Sequence, residues 1–278
     1  MKKTKNLRKE FPSVLDSAYE QHMQDLSRYK EVEEIMSKEV YSISPEASME
    51  EAARIMGEKH IGSLIVEKYA TPVGIVTERD LLTKVLAPGR DIKMESVEKT
   101  MSYPLISICL TAKIKEAAKA MIKEKGRLAV FDCGKLRGIV TSSDLIRSLP
   151  EVAETEVSVD DFMTRQVSTV DEKLPVGEAS KIMGDQRIGS LIVKRKTEPF
   201  GIFTERDLLT TVLAKGGSLN SEVGSTASSP LVTIKEGASI HQAAVLMTMK
   251  HVRRLPITRR EKIVGIITAR DLVEAYAK

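Results

Sequence analysis

Gly201-Ile-Phe-Thr-Glu-Arg-Asp207 is one of four copies of a seven-residue pattern: a glycine, two apolar residues, a threonine, two variable residues and an aspartate. The other copies are Gly74-Ile-Val-Thr-Glu-Arg-Asp80, Gly138-Ile-Val-Thr-Ser-Ser-Asp144 and Gly265-Ile-Ile-Thr-Ala-Arg-Asp271, and consecutive glycines stand 64, 63 and 64 residues apart. Self-similarity at a fixed period marks a chain of repeated supersecondary units that bury their apolar faces against one another.

Upstream of each glycine, by about 18 residues, lies a helix-like run ending in Met56, Met121, Met183 or Met247, with small residues such as Ala52 and Ala53 on one side. A longer period is superimposed. Thr77–Ala87 matches Thr204–Ala214 at ten of eleven positions, and Ile-Gly-Ser-Leu-Ile-Val occurs at both 61–66 and 188–193. Copies one and three therefore resemble each other more than either resembles two or four, as expected of a two-repeat unit that was itself duplicated.

Within the first copy, alternation over Val40–Ile43 predicts a short strand. Ser48-Met-Glu-Glu51 opens a helix to about Lys59 in the manner of a capping box. Ser63–Val66 and Val73–Val76 predict two further strands, and Thr77 starts a second helix through Ala87, stopped by Pro88-Gly89. Each unit reads β-α-β-β-α, too small to bury its own helices, and pairing of neighbouring repeats is the expected way to complete the core.

The β-α-β-β-α order, the G-h-h-T-x-x-D ending (h, apolar) and the Arg254-Leu-Pro-Ile257 element resemble cystathionine-β-synthase (CBS) domains. The resemblance covers residues from about Val32 to Lys278. It implies an α+β fold of four CBS repeats paired, one with two and three with four, into two pseudo-twofold modules. The arrangement is similar to the gamma subunit of AMP-activated kinase and to stand-alone archaeal four-repeat proteins. The expected divisions are an N-terminal extension (1–31) and repeats at 32–90, 97–150, 159–216 and 223–278. The resemblance further implies a regulatory ligand containing adenosine (AMP, ADP, ATP or S-adenosylmethionine) in the clefts between paired repeats, and an unidentified protein partner that responds to it.

Two uses of the Thr-x-x-Asp pairs are open: Thr77 and Asp80, Thr141 and Asp144, Thr204 and Asp207, Thr268 and Asp271. Threonine at the N-cap with an acid in the first turn stabilises a helix, by roughly 0.5–2 kcal/mol for the cap. The same carboxylate can accept hydrogen bonds from both hydroxyls of a ribose, while the helix N-terminus suits a phosphate. Arg127 and Arg254 occupy equivalent positions at the start of a strand, beside Arg253, where the odd repeats carry Ser63 and Ser190. In the family, basic residues here often reach a ligand phosphate, and arginine's planar fork suits that anion. Arg79, Arg206 and Arg270 lie inside the signature, either facing a phosphate or paired with an acid. The rest of a pocket is expected from the first strands, at Ser42, Ser107, Thr169 and Thr233. His60 and His251 sit at equivalent helix ends, where they suit capping.

Composition limits the alternatives. The chain has 278 residues, 43 basic and 39 acidic, for a net charge of +4. Only the extreme N-terminus is one-signed (Lys2, Lys3, Lys5, Arg8, Lys9), a basic tail whose minor reading is a nucleic-acid anchor. The following stretch, Phe11 to Lys30, has the scattered apolar residues of a packing helix, on the first module or a second copy of the chain, and monomer and homodimer are both open. With no Trp and 4% aromatics there are few platforms for stacking bases. Cys109 and Cys133 form no metal or disulfide framework, and no apolar run or leader pattern suggests a membrane or secreted protein, so a cytoplasmic location is expected. No nucleophile–base constellation or Walker loop is present, and a non-catalytic sensor is expected.

Overall fold

Four three-stranded sheets carry the fold, each built the same way. In the first repeat β1 (Ser42–Ile43) pairs in parallel with β2 (Ser63–Lys68), and β2 pairs antiparallel with β3 (Thr71–Thr77). The same order recurs in β4 (Ser107–Cys109), β5 (Leu128–Asp132) and β6 (Lys135–Val140), in β7 (Thr169–Asp171), β8 (Ser190–Arg195) and β9 (Glu198–Thr204), and in β10 (Ile234–Lys235), β11 (Arg254–Arg259) and β12 (Lys262–Thr268). This computed structural model describes residues 30–124, 126–148 and 157–278. Apart from its last two residues, the N-terminal extension, with its basic cluster and its expected helix, lies outside the described residues. The parallel pair requires a crossover. The first helix of each repeat supplies it: Met49–Glu58, Ile114–Glu124, Val176–Asp185 and Ile240–Lys250.

Two kinds of junction join the repeats. Within a module, the segment leading into each repeat crosses over to its sister. Ser37, ahead of β1 in repeat one, bridges to Ile139 of β6, and Ser102, ahead of β4 in repeat two, bridges to Ile75 of β3. In the other module Thr164 pairs with Ile266 and Ser228 with Ile202 in the same exchange. Val32 and Val159, close to the expected starts of repeats one and three, are accordingly buried with repeats two and four.

Between modules the helices meet, and here the expected completion of the core by chain neighbours is corrected. Leu209 and Leu213 of repeat three pack into the core of repeat one, and Leu82 and Leu86 of repeat one into that of repeat three. Repeats two and four share one continuous cluster that includes Met121, Leu145, Met247 and Leu272. The apolar cores therefore unite one with three and two with four, because the helical face of each repeat points away from its sister. Repeats joined in both ways form a ring in the order one, two, four, three.

The two core junctions differ in tightness. In repeats one and three the closing helix was expected to be α-helical throughout. Instead one α-turn, Glu78–Asp80 or Glu205–Asp207, runs into a π-helix, Leu81–Leu86 or Leu208–Val212. These wide turns lie against glycines of the opposite repeat. A Cβ on Gly57 would come within 2.8 Å of the Leu209 carbonyl oxygen, and one on Gly184 within 3.1 Å of that of Leu82. Repeats two and four carry Ile122 and Thr248 in place of these glycines and close with the α-helices Ser142–Ser148 and Ala269–Ala277.

Candidate functional site

All four signatures place their aspartate in the first turn of a closing helix, and three of the four aspartates, all but Asp207, line one cavity of about 1560 Å³ inside the ring. That is larger than the usual range for a single small ligand, roughly 300–1,000 Å³. Its wall includes Asp80, Asp144 and Asp271, the signature arginines and both sides of the module junction.

The Thr-x-x-Asp pairs form helix caps as the spacing requires. In each, Oδ2 of the aspartate accepts from the threonine amide (2.8–3.0 Å) and from its hydroxyl (2.6–2.8 Å). One carboxylate oxygen is thus committed to the fold in every repeat, and the other distinguishes them. Oδ1 of Asp80 lies 2.7 Å from Lys84 Nζ. In Asp144 it pairs with Arg147, and in Asp207 it accepts from Ser228 at 2.8 Å. Among the described residues, Oδ1 of Asp271 takes no hydrogen bond or ion pair. The local sequence explains this, since the positions three and four residues on are Glu274 and Ala275, which offer no cation. Burial raises the Asp271 carboxyl above its ordinary value, against the bonds from Thr268.

The three arginines expected to face a phosphate do converge on the centre, but they are not free. Arg127 Nη2 lies 3.4 Å and Arg253 Nη2 3.0 Å from Glu78, while Arg254 Nη2 lies 2.8 Å from Glu205. Arg79 Nε approaches Glu205 at 3.2 Å. Glu78 and Glu205 are only 5% and 4% exposed. Burial alone would raise the Glu78 carboxyl, but Arg253, Arg127, Arg254 and Arg206 together hold it below its ordinary value. Arg206, the copy of Arg79 in repeat three, has no carboxylate within ion-pair distance among the described residues, and burial followed by the Arg253 charge pushes its pKa down. Five guanidinium groups thus surround two carboxylates. An excess of positive charge on planar, partly exposed donors facing the cavity is suited to a multivalent anion.

Glu78 and Glu205 were not singled out from the sequence, although a signal existed. Glutamate occupies the fifth signature position only in copies one and three, and arginine the strand-start position only in copies two and four. The glycines beneath them were a second sign. A Cβ on Gly62 would sit 2.9 Å from Glu78 Oε1, and one on Gly189 2.7 Å from Glu205 Oε2.

The first strands contribute differently from expectation. Ser42, Ser107, Thr169 and Thr233 are exposed and lie off the cavity, whose wall touches the chain slightly earlier, at Tyr41, Ile106 and Ser168. Side chains alternate along a strand, so a shift of one residue exchanges the cavity face for the outer one. His60 and His251 do end their helices, and with Arg187 they hold left-handed backbone at φ 53–54° while lining the cavity. Cys109 and Cys133 are exposed free thiols, and the described residues contain no cluster of metal-ligating side chains. No helix of the described residues is long and apolar enough to cross a membrane.

Comparison with known proteins agrees with this geometry. The family model described as "CBS domain" matches four times, at residues 32–87, 94–151, 159–214 and 221–278. The uncharacterized protein MJ1404 of Methanocaldococcus jannaschii is 28% identical over 270 residues, which are 88% of this chain and 62% of that protein. The uncharacterized protein MK0525 of Methanopyrus kandleri is 38% identical over 128 residues, 45% of this chain and 65% of its own length. The chain thus spans less than two thirds of these curated relatives. Among solved structures, MJ1225 of M. jannaschii, presented as a candidate archaeal homolog of g-AMPK, superposes with a TM-score of 0.74 at 21% identity, covering 89% of this chain and all of that one. An uncharacterized conserved protein from Pyrococcus horikoshii gives 0.61 at 23% identity, over 88% and 99% of the two chains. At these identities the likeness is one of fold.

Proposed function

Because this chain belongs to the CBS domain family and its cavity wall carries both one uncommitted carboxylate oxygen and an arginine-rich centre, we propose that it is a non-catalytic receptor for an adenine nucleotide. Asp271 holds the ribose and the arginines attract the phosphates. The observation that carries this reading is the free Oδ1 of Asp271. A carboxylate with one oxygen pinned by Thr268 and the other open can accept from a cis-diol without first losing an internal partner. Asp80, Asp144 and Asp207 must give one up. Repeat four is therefore the first ribose site, and the others bind more weakly or serve as caps alone.

The arginine centre favours AMP, ADP or ATP over S-adenosylmethionine, whose sulfonium is repelled by the cations that attract phosphate. A protein partner would read the change in module geometry, which requires the ligand to bind two states with different affinity.

Calorimetric titration with adenosine, AMP, ATP and S-adenosylmethionine tests the reading on the parent, Asp271→Ala and Asp144→Ala. Loss of charge-assisted bonds to the diol is worth about 1.5–3 kcal/mol, or roughly 10–100-fold in affinity. That loss is expected in Asp271→Ala and not in Asp144→Ala. Equal binding by the parent and Asp271→Ala overturns the ribose assignment.

A further inference from the structure

Two buried glutamates among five arginines raise a question the nucleotide reading leaves open: what neutralises the phosphate-binding groups when no phosphate is present. The arrangement supplies its own anion. Glu78 takes Arg127 of its own module and Arg253 of the other, and Glu205 takes Arg254 of its own module and Arg79 of the other. Each glutamate therefore makes one bond inside a module and one between modules. The adjacent residues Arg253 and Arg254 reach acids of two different modules.

Several features set these pairs apart from ordinary structural salt bridges. The positive charge remains in excess, with Arg206 beyond ion-pair distance of any carboxylate among the described residues and crowded by Arg253, Arg127 and Arg254. Oε1 of Glu205, although near Arg79, is buried without a well-directed hydrogen bond. The acids occupy space kept open by Gly62 and Gly189, and the same signature position in repeats two and four is Ser142 or Ala269. Three further basic side chains, His60, Arg187 and His251, line the same cavity from strained backbone.

We propose that Glu78 and Glu205 are built-in competitors for the anionic group of the ligand. An arriving phosphate or diphosphate takes the arginines from them and so opens the two ion pairs, Arg253–Glu78 and Arg79–Glu205, that tie one module to the other. This deepens the nucleotide reading only in its phosphate half and is independent of where the ribose sits. Binding energy is spent on breaking the internal pairs, so the ligand-free protein binds anions weakly and its modules are held in one geometry. Occupation of the centre releases that geometry, a state-dependent interaction of the kind regulation requires. Ligand-induced movement then originates at the module junction, in the middle of the ring.

The test uses inorganic pyrophosphate, which has no ribose, titrated calorimetrically into the full chain and into Glu78→Gln and Glu205→Gln. Removing a competing carboxylate while keeping its shape is expected to tighten pyrophosphate roughly tenfold in either variant and to leave adenosine binding unchanged. Unchanged or weaker pyrophosphate binding in both variants overturns the proposal and makes the glutamates structural partners only. Glu78→Ser, which gives repeat one the residue that repeat two carries, serves as a second variant if Gln is not tolerated. Failure of all three variants to fold likewise assigns the acids a structural role and overturns the competition. Asp271→Ala is the separating control. Loss of AMP affinity there tests the ribose site, whereas the competition is read from pyrophosphate binding by the two glutamate variants alone.

Discussion

Arg253 places Nη2 3.0 Å from Oε1 of Glu78, an acid 175 residues earlier in the chain and diagonally across the ring of repeats. Repeats one and four share neither a strand junction nor an apolar core among the described residues, and this part-buried ion pair, whose carboxylate is buried, connects them. Removing one member of a buried pair leaves the other charge without compensation, which usually costs about 3–5 kcal/mol. With Arg127 still beside Glu78, Arg253→Ala is expected at the low end of that range, as read by denaturant unfolding.

Acid should weaken the ring through the same residue. The Glu78 carboxyl titrates below its unfolded value of 4.5 because the arginines outweigh its burial. A carboxyl lowered in the folded state contributes stability that is complete above the unfolded pKa and disappears as pH falls through the folded one. Unfolding free energy measured from about pH 7 down to pH 3 should therefore fall below pH 4.5 or so. Glu78→Gln should flatten that part of the curve, and an unchanged slope would contradict the assignment.

Asp271 should show the opposite sign. Its folded-state pKa is raised by burial, so the folded protein binds this proton more tightly than the unfolded chain. Stability from this group is greatest below 3.8, declines as pH rises through the raised value, and stays low above it. Asp271→Asn, whose amide oxygen still accepts from Thr268, is expected to melt at a higher temperature than the parent at neutral pH while binding AMP less tightly. Asp207→Asn is the comparison. Its parent carboxylate is already satisfied by Ser228, and the substitution should not stabilise.

The close helix junction can be tested with two alanines. Gly57→Ala brings a Cβ to 2.5 Å from that of Ala214 and 2.8 Å from the Leu209 carbonyl. Overpacking of this kind typically costs about 1–3 kcal/mol. Gly177→Ala, also in a first helix but with its nearest neighbours at 3.4 Å, should instead gain up to about 1 kcal/mol from helix propensity. Opposite shifts in melting temperature for one chemical change would locate the tight contact between repeats one and three.

His60, Arg187 and His251 adopt backbone that glycine accepts more readily. Replacing each with glycine relieves roughly 1 kcal/mol of strain and removes a basic side chain from the cavity wall. The expected result is a slightly higher melting temperature with weaker pyrophosphate binding. A gain in stability with undiminished binding would leave these side chains only their helix-ending role.

Legibility in the sequence followed the range of the interaction. The strands and helices of each repeat, and the caps from Thr77 to Asp80 and from Thr268 to Asp271, are set by residues a few positions apart and are readable from spacing. Partners such as Glu78 with Arg253 are set by closure of the ring, for which no local pattern stands. The π-turn at Leu81–Leu86 escaped for the same reason, because it is fitted to Gly184 of another repeat. The displacement of the expected pocket from Ser42 and Thr169 to Tyr41 and Ser168 has a different origin. Alternation establishes that a strand has two faces, but which one meets the cavity depends on the neighbour packed against it.

The exchange of lead-in segments also determines where the polypeptide tolerates a break. Both crossovers of the first module, Ser37 to Ile139 and Ser102 to Ile75, are complete before Ser148, and both of the second begin after Val157. A nick between those residues severs no strand bridge, whereas one between Ser102 and Ser107 parts a repeat from the segment its sister holds. Two separately expressed halves, joined among the described residues by apolar helices, the central ion pairs and the hydrogen bond from Arg79 to the Arg187 carbonyl, should therefore reassemble into the whole ring, whereas four isolated quarters should not.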